Sequence, residues 1–134
     1  MAPPSVGFNL LVDSYDKAIA FYASTLRLFD SKQNTDAGNG LRTVFLDFHQ
    51  PAIPFWMTLT LATTANERSL VGRQAGNSIL LVLPVRDLES LVERLGSSDV
   101  RFDGPLLNLP YGRQAVCFDP FGNRVSLFER YALE

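Results

Sequence analysis

Asp13-Ser14-Tyr15-Asp16-Lys17-Ala18-Ile19-Ala20-Phe21-Tyr22 follows a β-like apolar run from Val6 to Val12 and changes the period of the hydrophobic pattern. Tyr15, Ala18, Ile19, Tyr22 and Leu26 recur at the spacing of an amphipathic helix, with Asp13 or Ser14 as N-cap. The same order returns later: Ile79 to Val85 is again β-like, Asp87 can cap, and Leu88, Leu91, Val92 and Leu95 restate the stripe until Gly96 ends it. Val12 and Val85, Ser14 and Asp87, Ile19 and Val92, Phe29 and Phe102, and Asp30 and Asp103 are each separated by 73 positions. A constant separation across a strand, a helix and the next strand marks an internal repeat.

Working outward, strand-like stretches follow each helix: Arg27 to Lys32, Leu41 to Phe48 and Phe55 to Leu61, then Val100 to Asp103, Arg113 to Phe118 and Arg124 to Phe128. The separation drifts to 71 between Arg42 and Arg113 and to 68 between Thr58 and Ser126, as loops of unequal length require. Each half reads β-α-β-β-β, which predicts an α+β fold built from two modules. The expected layout is one domain over 1–134, with module one at 5–62, a polar, Gly-containing linker at 63–76 and module two at 77–130.

A chain of 134 residues fits one domain, and 46% apolar with 19% charged residues excludes disorder as a global description. The single Cys117 excludes an intrachain disulfide framework, and the single His49, expected on an exposed rim, excludes any site needing two histidines from one chain. A net charge of −2 with no Lys/Arg cluster gives no nucleic-acid footprint. The longest apolar run, Ile79 to Val85, falls far short of the roughly 20 residues of a membrane helix. No basic residue precedes Lys17, unlike a secretory signal, so a cytoplasmic location is expected.

The first helix and the segment Phe118-Asp119-Pro120-Phe121-Gly122-Asn123-Arg124-Val125-Ser126-Leu127-Phe128-Glu129 resemble two motifs of the vicinal oxygen chelate superfamily, the D-x-x-x-A-x-x-F-Y helix and the D-P-x-G-N turn. That superfamily includes glyoxalase I, bleomycin-resistance proteins and extradiol dioxygenases. The resemblance covers nearly the whole chain; Phe121 departs from it, standing where the family usually has a polar residue. It implies two modules whose curved mixed sheet surrounds a cavity, with four metal ligands in the metal-dependent members. Carried onto this chain, those positions are Gly7, Thr58, Leu80 and Ser126. Metal binding needs imidazole, carboxylate, thiolate or converging carbonyls, and these four residues offer none. The resemblance therefore points to the metal-free branch, with no cofactor.

Residues two apart on a strand share a face, so Trp56 and Thr60 accompany Thr58, Arg124 and Phe128 accompany Ser126, Asn9 accompanies Gly7, and Ser78 and Val82 accompany Leu80. With Tyr111 and Arg113 from the loop and strand start after Pro110, this gives the expected ligand-binding set: Asn9, Trp56, Thr58, Thr60, Leu80, Tyr111, Arg113, Ser126 and Phe128. Arg42 occupies the register of Arg113 in the first half, which favours a structural role for both. Phe48, Phe55 and Phe121 are candidate rim residues, and the loops Asp36 to Gly40 and Leu106 to Tyr111 set the pocket size. The expected function is metal-independent binding of a small organic molecule, an aromatic or glycopeptide antibiotic being the candidate, without catalytic residues. One alternative is an enzyme of the same fold with metal-free acid/base chemistry, for which Tyr111, Asp47 and Glu129 are the candidate groups; another is a superfamily lyase, isomerase or dioxygenase of the metal-dependent branch, which requires a different register at the four ligand positions. The expected partner besides the ligand is a second copy in a homodimer, formed with or without exchange of modules through the linker.

Overall fold

A computed structural model describes residues 5–36, 42–49 and 53–131. Most of the expected loop from Asp36 to Gly40 lies outside these residues. The chain divides after Val71 into two compact units.

The first unit runs β1 (Val6–Val12), α1 (Tyr15–Ile19), π-helical turns (Ala20–Thr25), β2 (Phe29–Asp36), β3 (Arg42–Phe48), β4 (Phe55–Leu61) and α2 (Ala65–Leu70). Its four strands lie in the order β1-β4-β3-β2, with β1 parallel to β4 and the other pairs antiparallel. The second unit runs β5 (Ile79–Pro84), α3 (Leu88–Gly96), β6 (Leu107–Leu109), β7 (Gly112–Phe118) and β8 (Arg124–Arg130). Its order, β5-β8-β7-β6 with β5 parallel to β8, repeats the first. These are two mixed sheets with few helices, the α+β class expected.

Each helix begins where the sequence supplies a capping oxygen. Ser14 Oγ accepts from the Lys17 amide at 3.2 Å, and Asp87 Oδ1 accepts from the Ser90 amide at 3.3 Å. Each also leads into a left-handed residue, Arg27 at φ 59° and Asp99 at φ 62°. Arg27 therefore does not open a strand, and β2 starts two residues later.

One side of each sheet is buried. In the first unit Leu10, Val12, Val44, Leu46, Met57 and Leu59 form it, and Tyr22 meets Phe29 edge-on with ring centroids 5.8 Å apart. In the second, Leu81, Leu83, Ala115, Cys117, Val125 and Leu127 are buried together with Leu88, Leu91 and Leu95 of α3. Each buried Leu, Val or Met among them contributes about 1.5–3 kcal/mol on leaving water. Burial pushes the Cys117 thiol up to about 12, so it serves as a small apolar residue.

Two stretches differ from expectation. The polar linker contains a helix, α2, because Thr64 and Glu67 form a capping box: Thr64 Oγ1 accepts from the Glu67 amide at 3.1 Å, and Glu67 Oε1 accepts from the Thr64 amide at 3.2 Å. Donation from the Thr63 amide, then from the Thr64 amide and the Thr63 hydroxyl, holds the Glu67 carboxyl below its ordinary pKa. The strand expected from Val100 to Asp103 is reduced to one bridge, Phe102 to Cys117. Gly104, at φ +90°, and Pro105, which lacks an N–H, interrupt pairing until β6.

The turn Asp119 to Asn123 joins β7 to β8. Buried Asp119 Oδ1 accepts from the amides of Phe121 and Asn123 at 3.0 and 2.8 Å, Oδ2 accepts from Asn123 Nδ2 at 2.9 Å, and Gly122 takes φ +99°. Asp119→Ala strands the buried Asn123 donors and the part-buried Phe121 amide, so we expect a loss of about 1–3 kcal/mol, with Asp119→Asn losing less. Urea denaturation midpoints check this; an unchanged midpoint for Asp119→Ala would show that the carboxylate does not hold the turn.

Candidate functional site

Because one side of each sheet is buried, alternation sends the remaining side chains to the other, open side. On the first sheet Gly7, Asn9, Trp56, Thr58, Thr60, Phe45 and Asp47 share it, as the pairings Gly7 with Trp56, Asn9 with Thr58, Phe45 with Thr58 and Asp47 with Trp56 require. Four of the expected residues, Asn9, Trp56, Thr58 and Thr60, are thus brought together. Asn9 Oδ1 accepts from Thr58 Oγ1 at 2.9 Å and from Thr60 Oγ1 at 2.7 Å, forming a compact polar group beside the indole.

Trp56 lies directly over Gly7. A Cβ built at position 7 would run into the six-membered ring of the indole, so the missing side chain makes room for the aromatic one. Phe45 meets Trp56 edge-on at 5.8 Å between ring centroids, and Trp56 Nε1 donates to the Ser5 carbonyl at 3.4 Å. Together Trp56, Phe45, Asp47 and Lys32 line a hollow of about 360 Å³.

On the second sheet the open side carries Val82, Gln114, Ser126 and Phe128. Gln114 Nε2 donates to Ser126 Oγ at 2.9 Å, and the exposed ring of Tyr111 lies 5.8 Å from that of Phe128. These residues, with Leu109, line a hollow of about 270 Å³. Leu80 falls at a register shift between Ile79 and Leu81 and does not line it.

Arg113 is not among them. It sits on the helix-facing side, where Nη2 and Nε donate to Glu129 Oε1 at 2.6 and 3.2 Å and Nη1 donates to Glu89 Oε1 on α3 at 2.8 Å. The hydrogen bonds it donates to Glu129 and then to Glu89 raise its pKa further. Arg42 repeats the arrangement in the first unit, with Nη2 on Asp16 of α1 at 2.9 Å and its guanidinium 4.7 Å from the Tyr15 ring centre. Both arginines tie a strand to its helix. Glu129 is likewise engaged by Arg113. Phe48 packs against Phe29 on the buried side at 5.5 Å instead of lining a rim. His49 is exposed, with Nδ1 3.2 Å from Asp30 Oδ1.

The positions that resemble metal ligands supply no fitting donor set. Gly7 is covered by an indole, Thr58 is committed to Asn9, Leu80 is aliphatic and Ser126 is bonded by Gln114. Among the described residues no three His, Cys, Asp or Glu side chains converge.

Sequence reading missed Lys32, Phe45 and Gln114. Phe45 was accessible from the two-residue period of β3, whereas Lys32 lies at a bulge that alternation does not foresee.

Gly7→Ala tests the indole placement. The added methyl forces the ring off the strand, so Trp56 emission should shift to longer wavelength, with little change in the unfolding midpoint because the buried contacts of β1 lie on its other side. An unchanged spectrum would mean that Trp56 does not rest on Gly7.

Residues 6–127 match the glyoxalase family, described as the Glyoxalase/Bleomycin resistance protein/Dioxygenase superfamily. An uncharacterized protein of Shewanella frigidimarina is 30% identical over 127 residues, 92% of this chain and 91% of that protein. Among solved structures, UcmS2 is 26% identical with a TM-score of 0.77, covering 96% of this chain and 98% of that one. TnmS3, described as an antibiotic binding protein from Streptomyces sp. CB03234, is 27% identical with a TM-score of 0.72, covering 98% of this chain and 99% of that one. Among the described residues no helix is long and apolar enough to cross a membrane. With the match running from β1 into β8 over two β-α-β-β-β units, the chain belongs to the glyoxalase/bleomycin resistance protein/dioxygenase superfamily and has the vicinal oxygen chelate fold.

Proposed function

We propose that the protein is a metal-independent, cytoplasmic binding protein that holds a planar organic compound, an antibiotic among the candidates, against the open side of its first sheet. The observation that carries this reading is the indole of Trp56 laid over Gly7 beside the Asn9, Thr58 and Thr60 group. A broad apolar platform with a few fixed polar groups is the usual composition of a small-molecule site. Stacking a ring on the indole contributes about 0.5–1.5 kcal/mol beyond the area buried. The description of TnmS3 as an antibiotic binding protein, at 27% identity, supports the same reading. So does the chemistry of Gly7, Thr58, Leu80 and Ser126, which favours retention of a ligand over metal-assisted reaction at it.

Trp56 is the sole tryptophan, so its fluorescence reports this site alone. Titration with a panel of aromatic and glycopeptide antibiotics should quench or shift its emission for at least one, equally with and without EDTA. Trp56→Ala should weaken that compound about tenfold by calorimetry, the equivalent of ~1.4 kcal/mol. Binding that EDTA abolishes, or that survives Trp56→Ala undiminished, contradicts the proposal.

The protein is further proposed to work as a homodimer. Each four-stranded sheet ends in edge strands, and Val82, Leu107 and Tyr111 of the second unit are exposed apolar side chains, features that a second copy can cover. Sedimentation should give twice the 14.9 kDa chain mass at tens of micromolar protein; a monomer at that concentration rejects this part of the reading.

A further inference from the structure

The hollow beside Trp56 holds two opposite charges, and they restrict what can lie in it. The β2–β3 ladder pairs Ser31 with Leu46 and Gln33 with Phe45, so Lys32 is the extra residue of a bulge. A bulge redirects a side chain that alternation would send elsewhere. Here Lys32 joins Phe45, Asp47 and Trp56 in lining the hollow. Asp47 arrives from the neighbouring strand, directly opposite Trp56 in the β3–β4 pairing. Among the described residues neither Lys32 nor Asp47 takes part in an ion pair or a side-chain hydrogen bond, whereas Arg42, Arg113 and Arg124 are each held by a carboxylate.

A flat compound seated on Trp56 takes water from both charged groups, and a charge deprived of water without a partner is costly. A neutral ring compensates neither group. A ring with a single acidic group satisfies the ammonium and places its own charge near the Asp47 carboxylate. A ring with only an N–H donor leaves the ammonium uncompensated. Both costs are met by one ligand class. We propose that the ligand of this site, resting on the binding function proposed above, is a planar aromatic acid that also carries an N–H or O–H donor, its anionic oxygen on Lys32 and its donor on Asp47. Lys32 and Asp47 then determine specificity, while Trp56 supplies the platform.

Calorimetric titration of the full chain with naphthalenes sharing one ring system separates these contributions. With 3-amino-2-naphthoate, 2-naphthoate and 2-naphthylamine as probes, the doubly substituted compound should bind about tenfold more tightly than either of the others. Lys32→Gln should weaken the two acids severalfold and leave 2-naphthylamine unchanged; Asp47→Asn should weaken the two amines and spare or improve 2-naphthoate. Circular dichroism of both variants establishes that they fold. Equal affinities for the three probes, or equal losses for all three in Lys32→Gln, overturn this inference and leave the binding function standing. Failure of every probe and of every antibiotic to bind overturns both.

Discussion

Parallel pairing of the first and last strands of each unit is the constraint on which the rest depends. Leu10 stands opposite Leu59 in β1–β4, and Leu83 opposite Leu127 in β5–β8. A parallel pair cannot be closed by a hairpin, so the chain must cross over before returning. The helix of that crossover covers one side of the sheet, and the two intervening strands extend the sheet sideways. With the crossover helix on one side, each sheet retains a second side to which alternation delivers every other residue. Trp56, Asn9 and the two threonines owe their common exposure to that topology.

The internal repeat also separates framework from candidate function. Features that recur in both units serve the fold: the capping Ser14 and Asp87, the left-handed Arg27 and Asp99, and the arginines that bind Asp16 and Glu89. Features without a counterpart are those of the first sheet's open side. Positions equivalent to Asn9 and Thr60 hold Val82 and Phe128, and that equivalent to Trp56 holds Arg124, whose guanidinium lies 5.1 Å from the Phe118 ring centre and bonds Asp103 at 2.9 Å. The polar group built on Asn9 thus belongs to one half only.

What could be read from the sequence was what depends on neighbours along the chain. Caps, helical stripes and the turn at Asp119 are local, and the strands Phe55–Leu61 and Gly112–Phe118 lie within a residue of their expected limits. The grouping of Asn9, Trp56, Thr58 and Thr60 was legible because β1 and β4 pair without interruption. Leu80 and Lys32 fall at register shifts, where counting by two fails and no composition signal warns of it. Arg113 needed its register against β8 before its partners could be known. The helix α2 was written in Thr64 and Glu67, but six residues without a buried side chain leave no apolar stripe to announce it.

Gly7 and Trp56 compete for the same volume, and this ties the two positions together in any mutational history. A larger side chain at position 7 either follows a smaller residue at 56 or displaces the indole from the strand. The two sites are therefore epistatic, and scanning substitutions one at a time would read position 7 through the displaced indole rather than through the new side chain itself. A combinatorial library over both positions separates the two effects, which makes this pair the natural starting point for redesigning the site.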